Sequence, residues 1–351
     1  MVRARFAGSS IMFALSFCPC GLAAAQVSGS SEENLCERER AEAKISTAGM
    51  SAVIWNENRL FGNMFDNNLL FTATLNVGSL SSFALWVAGT VNGEERISAN
   101  HFNVSRFLPG KHTGDDQAVD CRSTKIYRVT RGDIERYQRS GILTAALERW
   151  PWFLGAPVVD GDGDPSNYTL EGGDLPALHG DDMLWYLMSD YAGRSERSLD
   201  LDVGVSVFVR YDVTNRGAGT IEDAHVAVFA TPDIGDEYVG TDTTRSMLFA
   251  YGANETIRGT QMVSPAVGVV HIDPASQQSG GGGPPPIFSS YIAVASAYSP
   301  DNDVTYLRAL DTRRSDSVPI LEGGLGFPTT VQCPQSITPV KIMFPGDPLT
   351  F

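Results

Sequence analysis

The sequence lacks the short signatures of the common enzyme classes. It contains no G-x-S-x-G nucleophile motif, no H-E-x-x-H zinc motif, no P-loop and no G-x-G-x-x-G dinucleotide fingerprint. It also has no C-x-x-C pair, which argues against a thiolate zinc site. Its five histidines do not show the spacing of metal ligands. These absences do not favour an enzyme, and they assign no other function.

Basic residues and long apolar runs are scarce too. Lys and Arg number 26 against 41 Asp and Glu, which gives a formal net charge of −15. A chain this acidic repels nucleic acid and anionic lipid and attracts cations, so we expect no nucleic-acid partner. No stretch reaches about 18 consecutive apolar residues, so we predict no transmembrane segment.

The N-terminus has the three parts of a signal peptide. Arg3 and Arg5 form the positive region, and residues 11–17 form a short apolar region. Small residues then precede a cleavage point near Ala25. We therefore expect a secreted or cell-surface protein.

Few cysteines remain after this predicted cleavage. They are Cys36, Cys121 and Cys333. Export would permit a disulfide bond. Three cysteines allow one bridge and one leftover thiol, and the sequence does not choose among the three pairings.

Composition and patterning indicate a β-rich fold. The chain has 35 Gly and 19 Pro, and many short runs alternate apolar with polar residues, as in sheets with many turns. We predict a mainly β protein, an antiparallel β-sandwich or two, with one or two peripheral helices. The predicted segments are a signal peptide (1–25), a flexible leader (26–46), a β-rich region (47–200) with a helix near 131–149 and an acidic loop at 160–182, and a second sandwich-like region (201–351) with a flexible loop at 276–286.

Two local patterns predict particular elements. Residues 83–102 match a hairpin around Asn92 and Gly93, because both turn residues accept the positive φ that a type I′ turn requires. Thr130 is placed to cap a helix, with Asp133 three residues on as its acidic partner. Gly141 interrupts that helical pattern, and Pro151 ends it.

The longest alternation covers residues 203–213. It predicts one uninterrupted strand with valines and Tyr211 on the core face, and with Asp202, Ser206, Arg210 and Asp212 on the other. We expect a turn over 215–219 and an antiparallel return over 224–230. Residues 182–188 form an apolar run whose length does not decide between helix and strand.

The acidic loop carries the sharpest chemical signal. Asp160, Asp162 and Asp164 alternate with glycines, and such closely spaced carboxylates suit a hard cation such as Ca²⁺, which takes roughly six to eight oxygen ligands. Pro165 stands where an EF-hand needs a glycine with positive φ, so the loop is not an EF-hand. The alternative is a solvated Asp-Gly turn. The predicted ligands are Asp160, Asp162, Asp164, Asn167 and Glu171, and the candidates for a second part of the site are Asp174, Asp181 and Asp182.

Two further groups of residues could form binding sites. Asp233, Asp236 and Asp242 are candidates for a second acidic site that holds a cation, and an ion pair of Asp242 with Arg245 is the alternative. The five tryptophans are candidates for a platform that stacks on sugars, although core packing is their commoner use. Among them the residues that flank Pro151 are the best candidates for exposure, namely Trp150 and Trp152.

Five segments in sequence order match a known pattern. They are ALWVAGTVNGEERISA (84–99), CRSTKIYRVTRGDIE (121–135), WPWFLGAPVVDGDGDPSNYTLEGGDLPALHGDDMLWYLMSD (150–190), VFATPDIGDEYVGTDTTRSMLFAYG (228–252) and MFPGDP (343–348). Together they resemble a family of secreted β-rich proteins of the Bacteroidota type, which often carry a C-terminal type IX secretion sorting domain. The family has no established activity, so the resemblance implies export and a β-rich architecture. Because no sorting domain follows MFPGDP, we expect a truncated relative or a freely released one.

Three hypotheses for the function follow. The leading one is a secreted, non-catalytic β-module that a divalent cation stabilises, acting in adhesion, matrix or ligand binding with a glycan or a surface protein as partner. The second is a secreted hydrolase that acts on polysaccharide through paired acidic residues, which would lie some 5–9.5 Å apart across a cleft. The third is a structural component of the envelope.

Overall fold

The architecture is taken from a computed structural model of the chain. The structure describes residues 35–46, 50–58, 60–63, 66–67, 69–71, 77–99, 106–113, 119–190, 197–207, 209–232, 237–242, 247–252, 266–270, 292–295, 302–310 and 340–343. The predicted signal peptide and the predicted flexible loop at 276–286 lie outside these residues.

Strands make up most of the regular structure, so the prediction of a mainly β chain with few helices is confirmed. In chain order the strands are β1 (Leu35–Cys36), β2 (Glu42–Ser46), β3 (Met50–Trp55), β4 (Gly62–Asn63), β5 (Asp66–Asn67), β6 (Leu69–Phe71), β7 (Val77–Val91), β8 (Glu94–Ser98), β9 (Phe107–Pro109), β10 (Val119–Asp120), β11 (Ile126–Thr130), β12 (Val158–Val159), β13 (Leu175–Pro176), β14 (Asp182–Asp190), β15 (Leu201–Val207), β16 (Arg210–Asn215), β17 (Ile221–Pro232), β18 (Glu237–Asp242), β19 (Met247–Gly252), β20 (Ala266–Val270), β21 (Ile292–Ala295) and β22 (Val340–Met343). The described helices are α1 (Arg131–Ser140), α2 (Ala145–Glu148) and α3 (Asp303–Leu310), with short 3-10 helices at Trp152–Leu154 and Leu170–Gly172. None of these helices is long and apolar enough to cross a membrane.

Two antiparallel sheets form the body of the protein. Sheet I has the strand order β2-β3-β6-β7-β17-β22-β21, and β8 also pairs with β7. Sheet II has the order β11-β14-β15-β16, and β9 also pairs with β14. Each sheet combines strands from before and after residue 200, so the two predicted regions, 47–200 and 201–351, interleave in the structure.

The two sheets share one hydrophobic core, as in a β-sandwich. Alternate side chains of β7 and β14 belong to the same buried cluster, which also takes in the valines of β15. Burial of each such side chain contributes roughly 1.5–3 kcal/mol, so this layer supplies much of the stability. The cluster members on β7 and β14 are Phe83, Leu85, Val87, Leu184, Tyr186 and Met188.

The outer face of sheet I is buried as well. Trp86, which points away from the shared core, is fully buried in a second cluster with residues of β17 and α3. Its ring stacks on Phe229 at a centroid distance of 5.3 Å and meets Tyr306 of α3 edge-on at 4.6 Å. Helix α3 is therefore held to the sheet by aromatic contacts.

The outer face of sheet II supports the helical layer. Met183, Trp185 and Leu187 of β14 pack there with Leu147 of α2 and with Trp150. Because both faces of β14 are covered, its residues 183–188 are all apolar and do not alternate. This resolves the open assignment of residues 182–188, which form a strand.

The prediction of one strand over 203–213 is wrong. The segment is a hairpin of β15 and β16, in which Val203 pairs with Val213 and Val205 with Tyr211. Odd-numbered residues face the core on both strands, so the alternation continues in phase through the turn and hides it. Val209 turns the chain at φ 51°, which is rare for a β-branched residue.

The predicted return strand also has a different partner. Residues 224–230 lie within β17, which pairs with β7 of sheet I and not with residues 203–213. The alternation correctly indicates a strand with a buried face, but it carries no information on which strand lies beside it.

Two predicted local elements are present. β7 and β8 form the expected hairpin, with Asn92 at φ 54° and Gly93 at φ 82° in its turn. Thr130 caps α1 through a hydrogen bond from the backbone N–H of Asp133, and the Asp133 carboxylate accepts one from the backbone N–H of Thr130 at 3.0 Å. Gly141 ends α1 at φ 65°, so the helix predicted near 131–149 is divided into α1 and α2.

The flexible leader predicted over 26–46 needs correction in its described part, residues 35–46. β1 pairs with β10, and β2 pairs with β3 at one edge of sheet I. Cys36 forms a disulfide bond with Cys121, which selects one of the three pairings that the sequence left open. Cys333 lies outside the described residues.

Candidate functional site

The acidic loop is closed at its base by a short ladder. β12 precedes it and β13 follows it, with Val158 opposite Pro176 and Val159 opposite Leu175. Tyr168 and Leu170 of the loop pack on the hydrophobic cluster of sheet II. The pairing of β12 with β13 and the packing of these two side chains therefore hold the loop against sheet II.

Three carboxylates converge in this loop. One oxygen from each of Asp160, Asp162 and Asp174 lies within 4.8 Å of the others. Asp160 and Asp162 are exposed, whereas Asp174 is only 1% exposed. Like charges this close repel one another unless a cation lies among them.

Asp174 connects the two halves of the loop. Its Oδ1 accepts a hydrogen bond from the backbone N–H of Gly161 at 2.9 Å, and its Oδ2 accepts one from that of Thr169 at 2.7 Å. Gly161 lies directly against Gly173, where a Cβ on Gly161 would be 2.3 Å from the Gly173 carbonyl carbon. Because neither glycine has a side chain, the two backbone segments can approach this closely, and Asp174 reaches the start of the loop.

Asp162 accepts several hydrogen bonds. The backbone N–H of Asp164 donates to its Oδ1 at 2.9 Å, and the hydroxyl of Thr169 donates to its Oδ2 at 2.9 Å. These bonds, the backbone one first, hold the pKa of Asp162 below its ordinary value. Asp162 therefore stays ionised at neutral pH, as a cation ligand must.

The predicted ligands are placed differently from one another. Asp160 and Asp162 lie in the triad, but the carboxylate of Asp164 accepts hydrogen bonds from the backbone N–H and hydroxyl of Ser166. Glu171 is exposed in the 3-10 helix Leu170–Gly172 and is not part of the triad.

Asn167 lies beside the triad. Its Nδ2 contacts Asp162 Oδ2 at 3.5 Å. Its Oδ1 is a buried acceptor for which the described residues provide no hydrogen-bond donor. A carboxamide oxygen is a usual calcium ligand, so Asn167 could add an uncharged oxygen to the site.

The acidic residues after Asp174 do not extend the triad. Asp181 binds Arg131 at 2.6 Å, and Asp182 binds Arg128. Both pairs connect the start of β14 to the end of β11 and the beginning of α1. Their carboxylates are neutralised by arginine, which makes them poor cation ligands.

The second predicted acidic site remains a prediction. Asp233 and Asp236 lie outside the described residues. Asp242 is the last residue of β18, for which the backbone alone is described.

The two tryptophans that flank Pro151 are not equally exposed. Trp150 is 1% exposed, and its Nε1 donates to the carbonyl of Pro157 at 3.1 Å, so its prediction as an exposed platform is wrong. Trp152 is half-buried and stacks on Tyr168 of the acidic loop at a centroid distance of 6.5 Å. Phe153 is more open, at 45% exposed.

Asp190 is a buried carboxylate at the end of β14. The hydroxyls of Ser98 and Ser198 donate to it, and the backbone N–H of Leu199 donates at 2.7 Å. Burial raises the pKa of Asp190, although these hydrogen bonds oppose the rise. These hydrogen bonds connect the end of β14 to β8 and to the residues just before β15. At 1% exposed, Asp190 is too buried to contact a ligand.

Asp212 on β16 is another carboxylate with a raised pKa. Its Oδ1 accepts from Arg210 Nε at 3.1 Å and lies 3.0 Å from Arg210 Nη2. Burial raises the pKa of Asp212 to about 6, and the charge of Arg210 opposes the rise. The carboxyl group therefore titrates above the ordinary range of an aspartate.

We expect the Asp212→Asn variant to flatten the pH dependence of stability between about pH 4 and 7. The pKa of Asp212 is about 6 in the folded protein and about 3.9 in an unfolded chain. The folded protein therefore binds more protons in this window, and this contribution to stability, about 3 kcal/mol, is lost as the pH rises through it.

Urea unfolding of wild type and the Asp212→Asn variant across this pH range would measure the effect. Loss of the partner of Arg210 shifts the variant's curve by an offset that does not depend on pH, so the informative quantity is the difference in slope. Parallel curves would contradict the prediction.

Comparisons with known proteins do not identify a family. No family profile, curated protein or solved structure matches the chain. The resemblance to secreted Bacteroidota-type proteins therefore stays a prediction. A proposal for the function has to rest on the geometry of the acidic loop and on the fold that supports it.

Proposed function

We propose that the protein is a secreted, non-catalytic β-module whose acidic loop binds a divalent cation, Ca²⁺ by its ligand chemistry, and that it acts in adhesion, matrix or ligand binding. The convergence of Asp160, Asp162 and Asp174 carries this proposal. The three side chains offer only oxygen atoms, the ligands that Ca²⁺ prefers. A bound cation would offset their mutual repulsion.

The position of the triad favours a structural role for the ion. Asp174 is buried and holds backbone N–H groups from both halves of the loop, so an ion bound to it would stiffen the whole loop. Trp152 stacks on Tyr168 of the same loop. A loop stiffened by the ion would therefore also fix the position of the Trp152 ring. A glycan or a protein of the cell surface is the partner that we propose for this end of the molecule.

The same geometry does not favour the hydrolase hypothesis. A hydrolase of this type holds its two carboxyl groups on opposite sides of a cleft that admits the sugar. Asp160, Asp162 and Asp174 belong to one loop and approach within 4.8 Å. They surround a point that suits an ion.

Calcium is expected to raise the melting temperature of the wild-type protein, and EDTA to reverse the rise. Ligand at about 100 times its Kd stabilises a folded protein by about 2.7 kcal/mol. Calcium-binding modules of extracellular proteins have Kd values of about 0.1–1 mM, so the titration should extend to about 100 mM at constant ionic strength. Scanning calorimetry or thermal circular dichroism would measure the shift.

Two matched substitutions make this test specific. Asp162→Asn removes a charge from the triad and should abolish the calcium shift. Asp164→Asn removes a charge from the same loop outside the triad and should leave most of the shift. An absent shift in the wild type, or an equal loss in both variants, would reject the proposed site.

A further inference from the structure

Within the part of the chain that the structure describes, two buried polar atoms on the outer face of sheet II have no hydrogen-bond partner. They are Nε1 of Trp185, on a residue that is fully buried, and Oγ of Ser206, on a residue that is 2% exposed. Leaving a buried polar group unpaired costs about 1–3 kcal/mol. Two such groups close together indicate that something else binds them.

The two residues are neighbours in the sheet. Trp185 on β14 is the direct partner of Ser206 on β15, which places their Cβ atoms roughly 4.5–5.5 Å apart. The indole of Trp185 lies over Gly204, where a Cβ would be 3.3 Å from Nε1. The N–H of Trp185 and the hydroxyl of Ser206 thus share one small region of the face without bonding to each other.

A third polar group borders the same region. Asp212 on β16 is the direct partner of Gly204, so its side chain flanks the position over which the Trp185 ring lies. Arg210 contacts Asp212 through Oδ1, and no hydrogen bond to Oδ2 is found among the described residues. Oδ2 can therefore accept a hydrogen bond from another donor.

We propose that one buried water molecule binds between Trp185 Nε1, Ser206 Oγ and Asp212 Oδ2. The water accepts a hydrogen bond from the indole N–H and donates one to the carboxylate. Its third bond is to the serine hydroxyl, which can donate or accept. Three partners is the usual number for a buried water, and a water that bridges polar groups is nearly as favourable in enthalpy as a direct hydrogen bond.

The proposed water would connect three adjacent strands at a boundary in sheet II. Trp185 belongs to the apolar cluster that carries the helices and the acidic loop, whereas Ser206 and Asp212 belong to the polar half of the same face. The raised pKa of Asp212 agrees with a carboxylate that is buried here. This inference does not depend on calcium binding by the loop.

The site can be tested by water-to-protein nuclear Overhauser spectroscopy on ¹⁵N-labelled protein. The indole proton of Trp185 is expected to show a cross-peak with a long-lived water. The indole of Trp150 is a matched internal control, because it is equally buried but donates to the carbonyl of Pro157. It should show no such cross-peak.

The Ser206→Ala variant distinguishes a site with a bound water from a site without water, in which Trp185 Nε1 and Ser206 Oγ both stay unpaired. With a bound water, the cross-peak of Trp185 persists, since two partners remain, and the melting temperature falls by a few degrees. In a dry site, deletion of an unpaired hydroxyl raises the melting temperature, and any signal relayed by the hydroxyl disappears. Absence of the cross-peak in either protein, or a higher melting temperature of the variant, would overturn the proposal.

Discussion

Replacement of Cys36 and Cys121 by serine is expected to lower the free energy of unfolding by about 4–5 kcal/mol. The two cysteines are 85 positions apart, and a cross-link that closes a loop of this length removes much conformational entropy from the unfolded chain. The bond also holds β1 against β10. Arg38, just after it, donates to the carbonyl of Pro109 at 3.0 Å and to that of Lys111 at 2.8 Å, so the loss would loosen a whole edge of the fold.

Urea unfolding of the oxidised protein and of the double variant would measure this difference. Each single variant should lose about as much as the double one, because either substitution breaks the same bond. Cys333→Ser serves as the control, since it removes a thiol but leaves the bridge intact. A double variant within about 1 kcal/mol of the wild type would show that the bridge contributes little to stability.

The elements that could be predicted from the sequence are those governed by short-range rules. Asn92 and Gly93 tolerate positive φ, so the hairpin of β7 and β8 follows from two residues. Thr130 and Asp133 are three apart, as a capping box requires, so the beginning of α1 follows too. In both cases the residues that decide the structure are neighbours in the chain.

The errors come from contacts between distant segments. The turn between β15 and β16 keeps odd-numbered residues on the core face, so periodicity cannot reveal it. Apolar–polar alternation also fails to identify β14 as a strand, because helices cover the face that an ordinary antiparallel sheet exposes to water. The partner of β17 is β7, which lies 130 or more residues earlier in the chain, and alternation within one strand does not encode that choice.

In the candidate site, too, the sequence indicates what neighbouring residues determine and misses what depends on contacts between separate segments. The alternation of Asp160, Asp162 and Asp164 points to the loop in which the carboxylates of Asp160, Asp162 and Asp174 converge. The sequence alone could not show that Asp164 accepts hydrogen bonds from Ser166, or that the pairing of β12 with β13 brings Asp174 back to the beginning of the loop. The sequence places Asp174 with Asp181 and Asp182 in a second part of the site, because extended acidic loops are usually solvated.

Trp86→Ala is expected to be among the most destabilising single substitutions, with a loss of about 3–5 kcal/mol. Trp86 is fully buried and lies between Phe229 of sheet I and Tyr306 of α3. Its removal would leave a cavity between two aromatic rings that cannot close on each other without moving the helix. Aromatic pairs of this geometry contribute about 0.5–1.5 kcal/mol beyond their burial.

Comparison with Trp152→Ala tests whether the position of the tryptophan causes the loss. Trp152 is half-buried in a 3-10 helix at the surface and has one stacking partner within the acidic loop, Tyr168, so we expect a much smaller loss of stability. Urea unfolding gives both values. Because α3 is held by Tyr306, hydrogen exchange in the Trp86→Ala variant should accelerate first in residues 303–310. Equal losses in the two variants would mean that α3 is held to sheet I by contacts other than Trp86.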